Sequence, residues 1–369
     1  MIREEVICSI ALSHIPKLGT VNAKRLIEMA GSASLLFEQS KEWVAKGLLA
    51  PNWGDELRNQ AHRSYAEAVC EEAEQKGVEL IPLTSSRYPR RLKECEDAPI
   101  LLYYKGDTNL DTCRIISIVG TRLISPYGRE MCQRIVSDLA AFDSSILVVS
   151  GLAYGVDVEA HTAALKCGLN TLGVLAHGLD QIYPSRHRNI AVQMVAKGGL
   201  LTEFPFNTHP TRFSFVSRNR IVAGLSDATI VIESAQKGGS LITADLANGY
   251  NRDCFAVPGR VSDQLSVGCN QLIKEDKAIL IESGVDVINY LGWHNKKKTS
   301  FVKQQELFIP NLSEEEERLV SLFREKGDLL LDNLVVMSDI PIHQLHPILF
   351  ELEMKGVIQA QVGGTYHLV

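Results

Sequence analysis

The sequence predicts an α/β fold, a doubly wound parallel sheet preceded by a helical segment and followed by a winged-helix domain. Three observations predict it. From Cys113 onward, short β-branched runs alternate with helical stretches; up to about residue 80 the pattern is helical throughout; and the chain closes with helix, turn, helix and two short strands. A chain of 369 residues exceeds what one core holds, since single cores stop growing near ~250 to 300 residues, so several domains are expected. The boundaries drawn from the pattern are 1–80, 81–292, a linker at 293–312, and 313–369.

In the first segment, IPKLGTVNAKRLIEMAG places Gly19 in a tight turn ahead of an amphipathic helix. Ile15, Leu18, Gly19 and Ala23 have the spacing of a helix-hairpin-helix (SAM-like) unit, whose turn presents backbone N–H groups to a phosphate. Packing within the protein and contact with nucleic acid are both open for this turn. The piece from about 80 to 112 precedes the regular alternation and is expected to add edge strands.

The sheet itself is read from RIISIVG, SILVVSG, NTLGVLA, GLLTEFP, ATIVIES, DCFAVPG and AILIES. Runs apolar on both faces and separated by helices are the mark of parallel strands covered on both sides. After INYLGW, the stretch HNKKKTSFVKQQELFIPN is polar and basic with no sustained apolar period, and reads as a linker. Ser313 then caps a helix whose first turn holds Glu314 to Glu317, where the helix dipole favours acids. The closing strands are read as hinged at Gly363 and Gly364. In the recognition-helix position, PIHQLHPILFELEMKG carries Lys355 as its one cation together with Glu351 and Glu353, so protein contact is weighed ahead of duplex binding.

No apolar run approaches the ~18 to 20 residues of a membrane span, and the N-terminus lacks the layout of a signal peptide, so a soluble cytoplasmic protein is expected. The eight cysteines are scattered singly without metal-ligand spacing and are expected to be small buried hydrophobes in a reducing compartment. No metal or cofactor is expected. The net charge of −6 opposes a polyanion as a single number, but local field decides phosphate binding. From Pro205 to Val222 there are Arg212, Arg218 and Arg220 and no acid.

In an open parallel sheet the ligand crevice lies at the carboxyl ends of the strands. The first run ends in Gly120-Thr121-Arg122 ahead of a helix start, a combination suited to phosphate. The second ends in Ser150-Gly151, with Asp157 and His161 one turn apart beyond it as a cap and a packed histidine or, less simply, an acid/base pair. A later turn brings Gly238, Gly239, Ser240 and Thr243. The fingerprint GxGxxG is missing, which argues against a nicotinamide cofactor, and several such turns on one rim suit a chain of phosphates. Arginine pairs with phosphate oxygens through its planar fork, and an aromatic ring offers a stacking face to an unpaired base, so Arg212, Arg218 and Arg220 with Phe213 and Phe215 favour single-stranded nucleic acid, with Asn219 between the last two arginines. The competing reading makes the two phenylalanines core and has Arg218 and Arg220 tie down neighbouring loops, Arg218 foremost.

IVGTR with Tyr127-Gly128, SGLAYGVDVEAH, GLDQIYP, TEFPF, FSFVSRNRIVAGLSDATIVIESAQKGGSLITADLA, and VPG followed by GCNQLI resemble the DNA-processing protein A (DprA, also called Smf) family over roughly residues 80–291. The resemblance implies an extended Rossmann-like domain that binds single-stranded DNA without base preference, protects it during natural transformation, and loads RecA recombinase onto it, with no substrate turned over. It implies that Arg122 contacts phosphate, that Arg212 and Phe215 stand at the DNA, and that Arg218, Asn219 and Arg220 form the family's RNR motif. It further implies a homodimer through the Rossmann-like domain. Thr121 replaces the more common serine, Arg212 the more common lysine, and His177 a small or hydroxyl residue, where its imidazole narrows the pocket. The alternative is a phosphoribohydrolase of the lysine decarboxylase-like type, whose glycine-rich helix start resembles KGGSLITADLA but needs a glutamate where this chain has Ala244 and Asp245.

Overall fold

The computed structural model describes residues 2–293, 312–327, 329–338, 340–355, 357–361 and 365–368. Nearly all of the linker drawn at 293–312, and the Gly363-Gly364 hinge, lie outside the described residues. The chain forms two compact units, Met1–Asn295 and Lys296–Val369.

The first unit is built on nine strands: β1 (Glu79–Pro82), β2 (Leu101–Gly106), β3 (Ile115–Val119), β4 (Leu147–Ser150), β5 (Asn170–Val174), β6 (Gly198–Thr202), β7 (Ala228–Val231), β8 (Asp253–Ala256) and β9 (Ile279–Leu280). Their order is β1-β2-β6-β5-β4-β3-β7-β8-β9. The strands β3 to β9 pair in parallel, while β1 and β2 add an antiparallel edge. After β3 the chain winds one way through β4, β5 and β6, then returns to β7 on the other flank of β3. The strand order therefore reverses at β3 and β7, and the crevice opens outside their carboxyl ends.

Period-2 alternation sorts the strands into two cores. Ile116, Ile118, Val148 and Ile230 face the helices Pro126–Phe142 and Val156–Lys166 through Met131, Cys132, Ile135 and Ala160. Ile115, Val119, Leu147 and Val149 face the opposite layer, where Ile221, Val222 and Leu225 of the Arg212–Leu225 helix pack. Ser117 also points to that layer, and its hydroxyl meets Thr229 Oγ1 at 2.7 Å, so the polar pair is satisfied inside the sheet.

The N-terminal helices do not stand apart. Ile15, Leu18, Ala23, Leu26 and Ile27 belong to the same apolar cluster as Ile81, Leu92 and Leu102, so contacts run across the boundary drawn at residue 80. Buried Lys24 donates to the carbonyls of Lys93 and Cys95 at 2.8 and 2.6 Å, which ties the hairpin helix to the sheet unit. Leu18 and Ala23 flanking the turn are packed, while Gly19 itself is exposed. Six of the eight cysteines are buried as expected, whereas Cys113 and Cys167 lie in surface turns and are exposed.

The second unit contains the helices Glu314–Lys326, Leu331–Ser338 and Ile342–Met354, and the strands β10 (Leu329–Leu330), β11 (Ile358–Gln361) and β12 (Thr365–Leu368), in antiparallel order β10-β12-β11. Leu319, Phe323, Leu334, Leu345 and Leu349 fill its core. The glutamate block has a structural use: Ser313 and Glu316 form a capping box, and Glu316 also pairs with Lys355.

Candidate nucleic-acid interface

The Arg212–Leu225 helix decides which arginines are available. A capping box fixes its start, with Ser214 N donating to Thr211 Oγ1 (3.1 Å) and Thr211 N donating to Ser214 Oγ (2.8 Å). From there Ser214, Arg218, Ile221 and Leu225 fall at helical spacing on one buried stripe. Arg212, Phe213 and Val216 lie outside that stripe and are exposed, Phe213 to 89%.

Arg218 is 4% exposed. Its guanidinium lies against Gly151, where any Cβ would strike it, and donates to the Val174 carbonyl. It thereby clasps the carboxyl ends of β4 and β5. Burial pushes the neighbouring Asp157 carboxyl up from its ordinary value, and the Arg218 charge opposes that rise. Arg220 is also buried; it pairs with Glu203 beyond β6 and donates to the Asp97 carbonyl. The sequence reading favoured both arginines at the DNA and kept as its alternative that they tie down neighbouring loops, Arg218 foremost; the structure turns both guanidiniums inward, as in that alternative. Asn219, between them, is half-buried and donates to the Gly239 carbonyl at 3.4 Å.

The first phosphate cradle is occupied by the protein itself. Glu233, 2% exposed, reaches from the end of β7 to the start of the Pro126–Phe142 helix, where its carboxylate accepts from Ser125 N (2.9 Å) and Ser125 Oγ. Gly128 leaves the space for that carboxylate, since a Cβ there would collide with it. At half-buried Gly120 a Cβ would meet Val156 and the Glu233 carbonyl, so only glycine fits there. A carboxylate at a helix N-terminus uses the dipole and free N–H groups that a phosphate would use. The expected phosphate contact at the helix start is therefore corrected, since Glu233 already fills it. Thr121 is half-buried, with its N–H on the Glu233 carbonyl at 2.7 Å, and Arg122 beyond it is exposed.

Other expected positions divide in the same manner. Ser150 is buried and donates to the Ile118 carbonyl at 2.6 Å, and Ser240 is buried and donates to Ser234 Oγ at 2.9 Å, so neither hydroxyl faces solvent. Gly151 is buried beneath Arg218. Gly239 stands in open space at a helix start with no side-chain cap. His161 is fully buried: its Nδ1–H donates to Thr171 Oγ1 at 2.7 Å, and burial lowers its pKa to about 3, so it is a neutral packed histidine. His177 is 1% exposed and does not narrow the crevice, contrary to expectation.

What remains open is a cationic and aromatic rim. Arg122 after β3, Arg186 after β5, Arg212 after β6, Lys237 after β7 and Arg260 after β8 are all exposed, and among the described residues none has an ion-pair partner. At the opposite end of the sheet, Arg91 pairs with Asp227 and Arg114 with Asp143. Near Arg122, the guanidinium sits over the half-buried Phe215 ring at 5.1 Å, and Tyr183 lies 6.0 Å from that ring. The acids Asp157, Glu203 and Glu233 at this end are turned inward, while Asp180, and Asp263 in the loop of Arg260, are exposed. Sequence reasoning missed Arg186, Lys237, Arg260 and Tyr183; their place in the loop after a parallel strand was the available signal.

Residues 79–292 match the model of the family described as DNA recombination-mediator protein A. The DNA processing protein DprA of Streptococcus pneumoniae is 40% identical over 201 residues, covering 54% of this chain and 70% of that protein. That of Bacillus subtilis is 37% identical over 246 residues, covering 66% and 82%. The X-ray structure of the S. pneumoniae protein superposes with a TM-score of 0.59 at 34% identity, over 68% of this chain and 90% of that one. The structure of Helicobacter pylori DNA processing protein A, solved for its single-stranded DNA binding mode, gives 0.53 at 31% identity, over 58% and 96%. On the family-model match over more than half of its length and its identity to these relatives, the chain belongs to the DNA recombination-mediator protein A family.

Proposed function

We propose that this protein binds single-stranded DNA, without base preference, along the carboxyl rim of its sheet, shelters it, and passes it to RecA recombinase in natural transformation and recombination. The observation that carries the reading is the set of unpaired cations Arg122, Arg186, Arg212, Lys237 and Arg260, one on each of five loops, beside the Phe215 ring. Arg122, Arg212 and Phe215 touch the strand, with Thr121, Asn219 and the open Gly239 turn beside them. Arg218, Arg220, Gly151, Ser150 and Ser240 hold the loops that carry the contacts. The single-stranded DNA binding of the H. pylori relative supports the choice of ligand. The protein works as a cytoplasmic homodimer and catalyses no reaction.

The phosphoribohydrolase reading is the weaker one. Ala244 is buried, and Asp245, the nearest carboxylate in the glycine-rich helix, is exposed and faces Lys277 at 3.7 Å. For the C-terminal unit we favour a winged helix that contacts protein: its Lys355 is engaged by Glu316, and Phe350 and Met354 are exposed one turn apart. A pulldown with RecA on oligothymidylate tests the whole reading. RecA retention on oligothymidylate should rise when this protein is present; equal retention without this protein contradicts the loading role.

A further inference from the structure

The loop after β5 is fastened to the loop that leads into the Arg212–Leu225 helix. Gly178 N and Gln181 Nε2 donate to the Thr208 carbonyl at 3.1 and 2.8 Å, and Asn207 N donates to Asp180 Oδ1 at 2.9 Å. Within that loop, Tyr183 N–H donates to His177 Nε2 at 3.2 Å, and His177 Nδ1–H donates to the Gly178 carbonyl at 2.9 Å. Both ring nitrogens are thus satisfied only in the neutral Nδ1–H form. The outcome of these bonds is that the Tyr183 ring, 46% exposed, stands beside Phe215 with the planes at 56°.

We infer that Tyr183 is a second stacking surface of the single-strand site, adjacent to Phe215, and that His177 is the positioning residue that holds it there. This rests on the reading that the rim binds single-stranded DNA. A base sandwiched between two rings needs about 7 Å between them, twice the ~3.5 Å contact distance of carbon atoms. The centroid separation of 6.0 Å and the tilt rule out a sandwich, and Arg122 already covers Phe215. Successive bases therefore take one ring each, the first meeting Phe215 and Arg122, the next the free face of Tyr183. Stacking of this kind is sequence-tolerant, because every base has a π-face.

The test uses the full chain with oligothymidylate carrying one 2-aminopurine, whose fluorescence is quenched by stacking, and with anisotropy for affinity. Tyr183→Ala should weaken binding about five-fold or more and relieve the quench, while Tyr183→Phe should keep both. His177→Ala should relieve the quench although Tyr183 is intact, and His177→Gln, whose amide oxygen can accept from Tyr183 N–H, should restore it. The inference is overturned if Tyr183→Ala binds and quenches like wild type while Arg122→Ala still weakens binding. If wild type itself fails to bind oligothymidylate, the parent reading falls first, a result distinct from the former. Quenching unchanged in His177→Ala, or not restored in His177→Gln, removes His177 from the account.

Discussion

Without its side chain at position 220, the Glu203 carboxylate would keep only Ser217 and the neighbouring Asp97 charge around it, in a place where it is almost fully covered. Removing one member of a buried ion pair costs about 3 to 5 kcal/mol, so Arg220→Ala should lower the unfolding free energy by that order, measured by urea denaturation. An ordinary surface arginine would cost far less. A second consequence concerns buried His161, which faces Arg218 and His187 and is kept neutral chiefly by burial, down to about pH 3. The unfolded chain takes up that proton near pH 6.5 and the folded one does not, so the stabilising contribution is present above that pH and lost on acidification. Between pH 6.5 and 5 wild type should lose about 1.5 kcal/mol that His161→Gln does not lose, read from urea midpoints. His177, covered by its own loop and flanked by Asp180 and Arg218, is lowered for the same first reason and adds in the same direction. The histidine packing was readable in the sequence from the turn-length spacing to Asp157. The competing reading in which Arg218 ties down neighbouring loops agrees with the Ser214, Arg218, Ile221, Leu225 period, which puts Arg218 on the buried stripe.

At the scale of elements, strands β3 to β8 were legible because strands covered on both faces are largely apolar, and each run was bounded by a turn and a helix; β9, at the sheet edge with Leu280 exposed, was legible from its apolar run alone. The order of those strands and their register were not, since pairing partners distant in sequence leave no local trace. The helix start after β3 shows how an element can look like a ligand site and be closed by another element. Gly128 and Ser125 have the form of an anion cradle, and only the fold reveals that Glu233, more than a hundred residues later, fills it. Gly128→Ala should therefore destabilise the protein by about 1 to 3 kcal/mol, as overpacking does, seen as a lowered urea midpoint. If the cradle were an empty phosphate site, the same change would leave stability untouched and weaken DNA binding instead.

Across the whole molecule, the net charge of −6 conceals a separation of function between the two ends of the sheet. Cations near the amino ends of β3 and β7 pair with Asp143 and Asp227, while Arg122, Arg186, Arg212, Lys237 and Arg260 on the carboxyl rim are exposed and have no ion-pair partner among the described residues. Single-stranded DNA releases counterions as its phosphates are neutralised, with a slope of log K against log salt of about −0.7 per contact. The most direct measurement is an anisotropy titration of labelled oligothymidylate over a range of salt, with wild type and with the Arg122→Ala, Arg212→Ala double variant. Five rim cations predict a slope of about −3.5 for wild type, shallower by about 1.4 in the double variant, with weaker binding and the fold intact. A double variant that keeps the wild-type affinity and slope would contradict a DNA-binding rim.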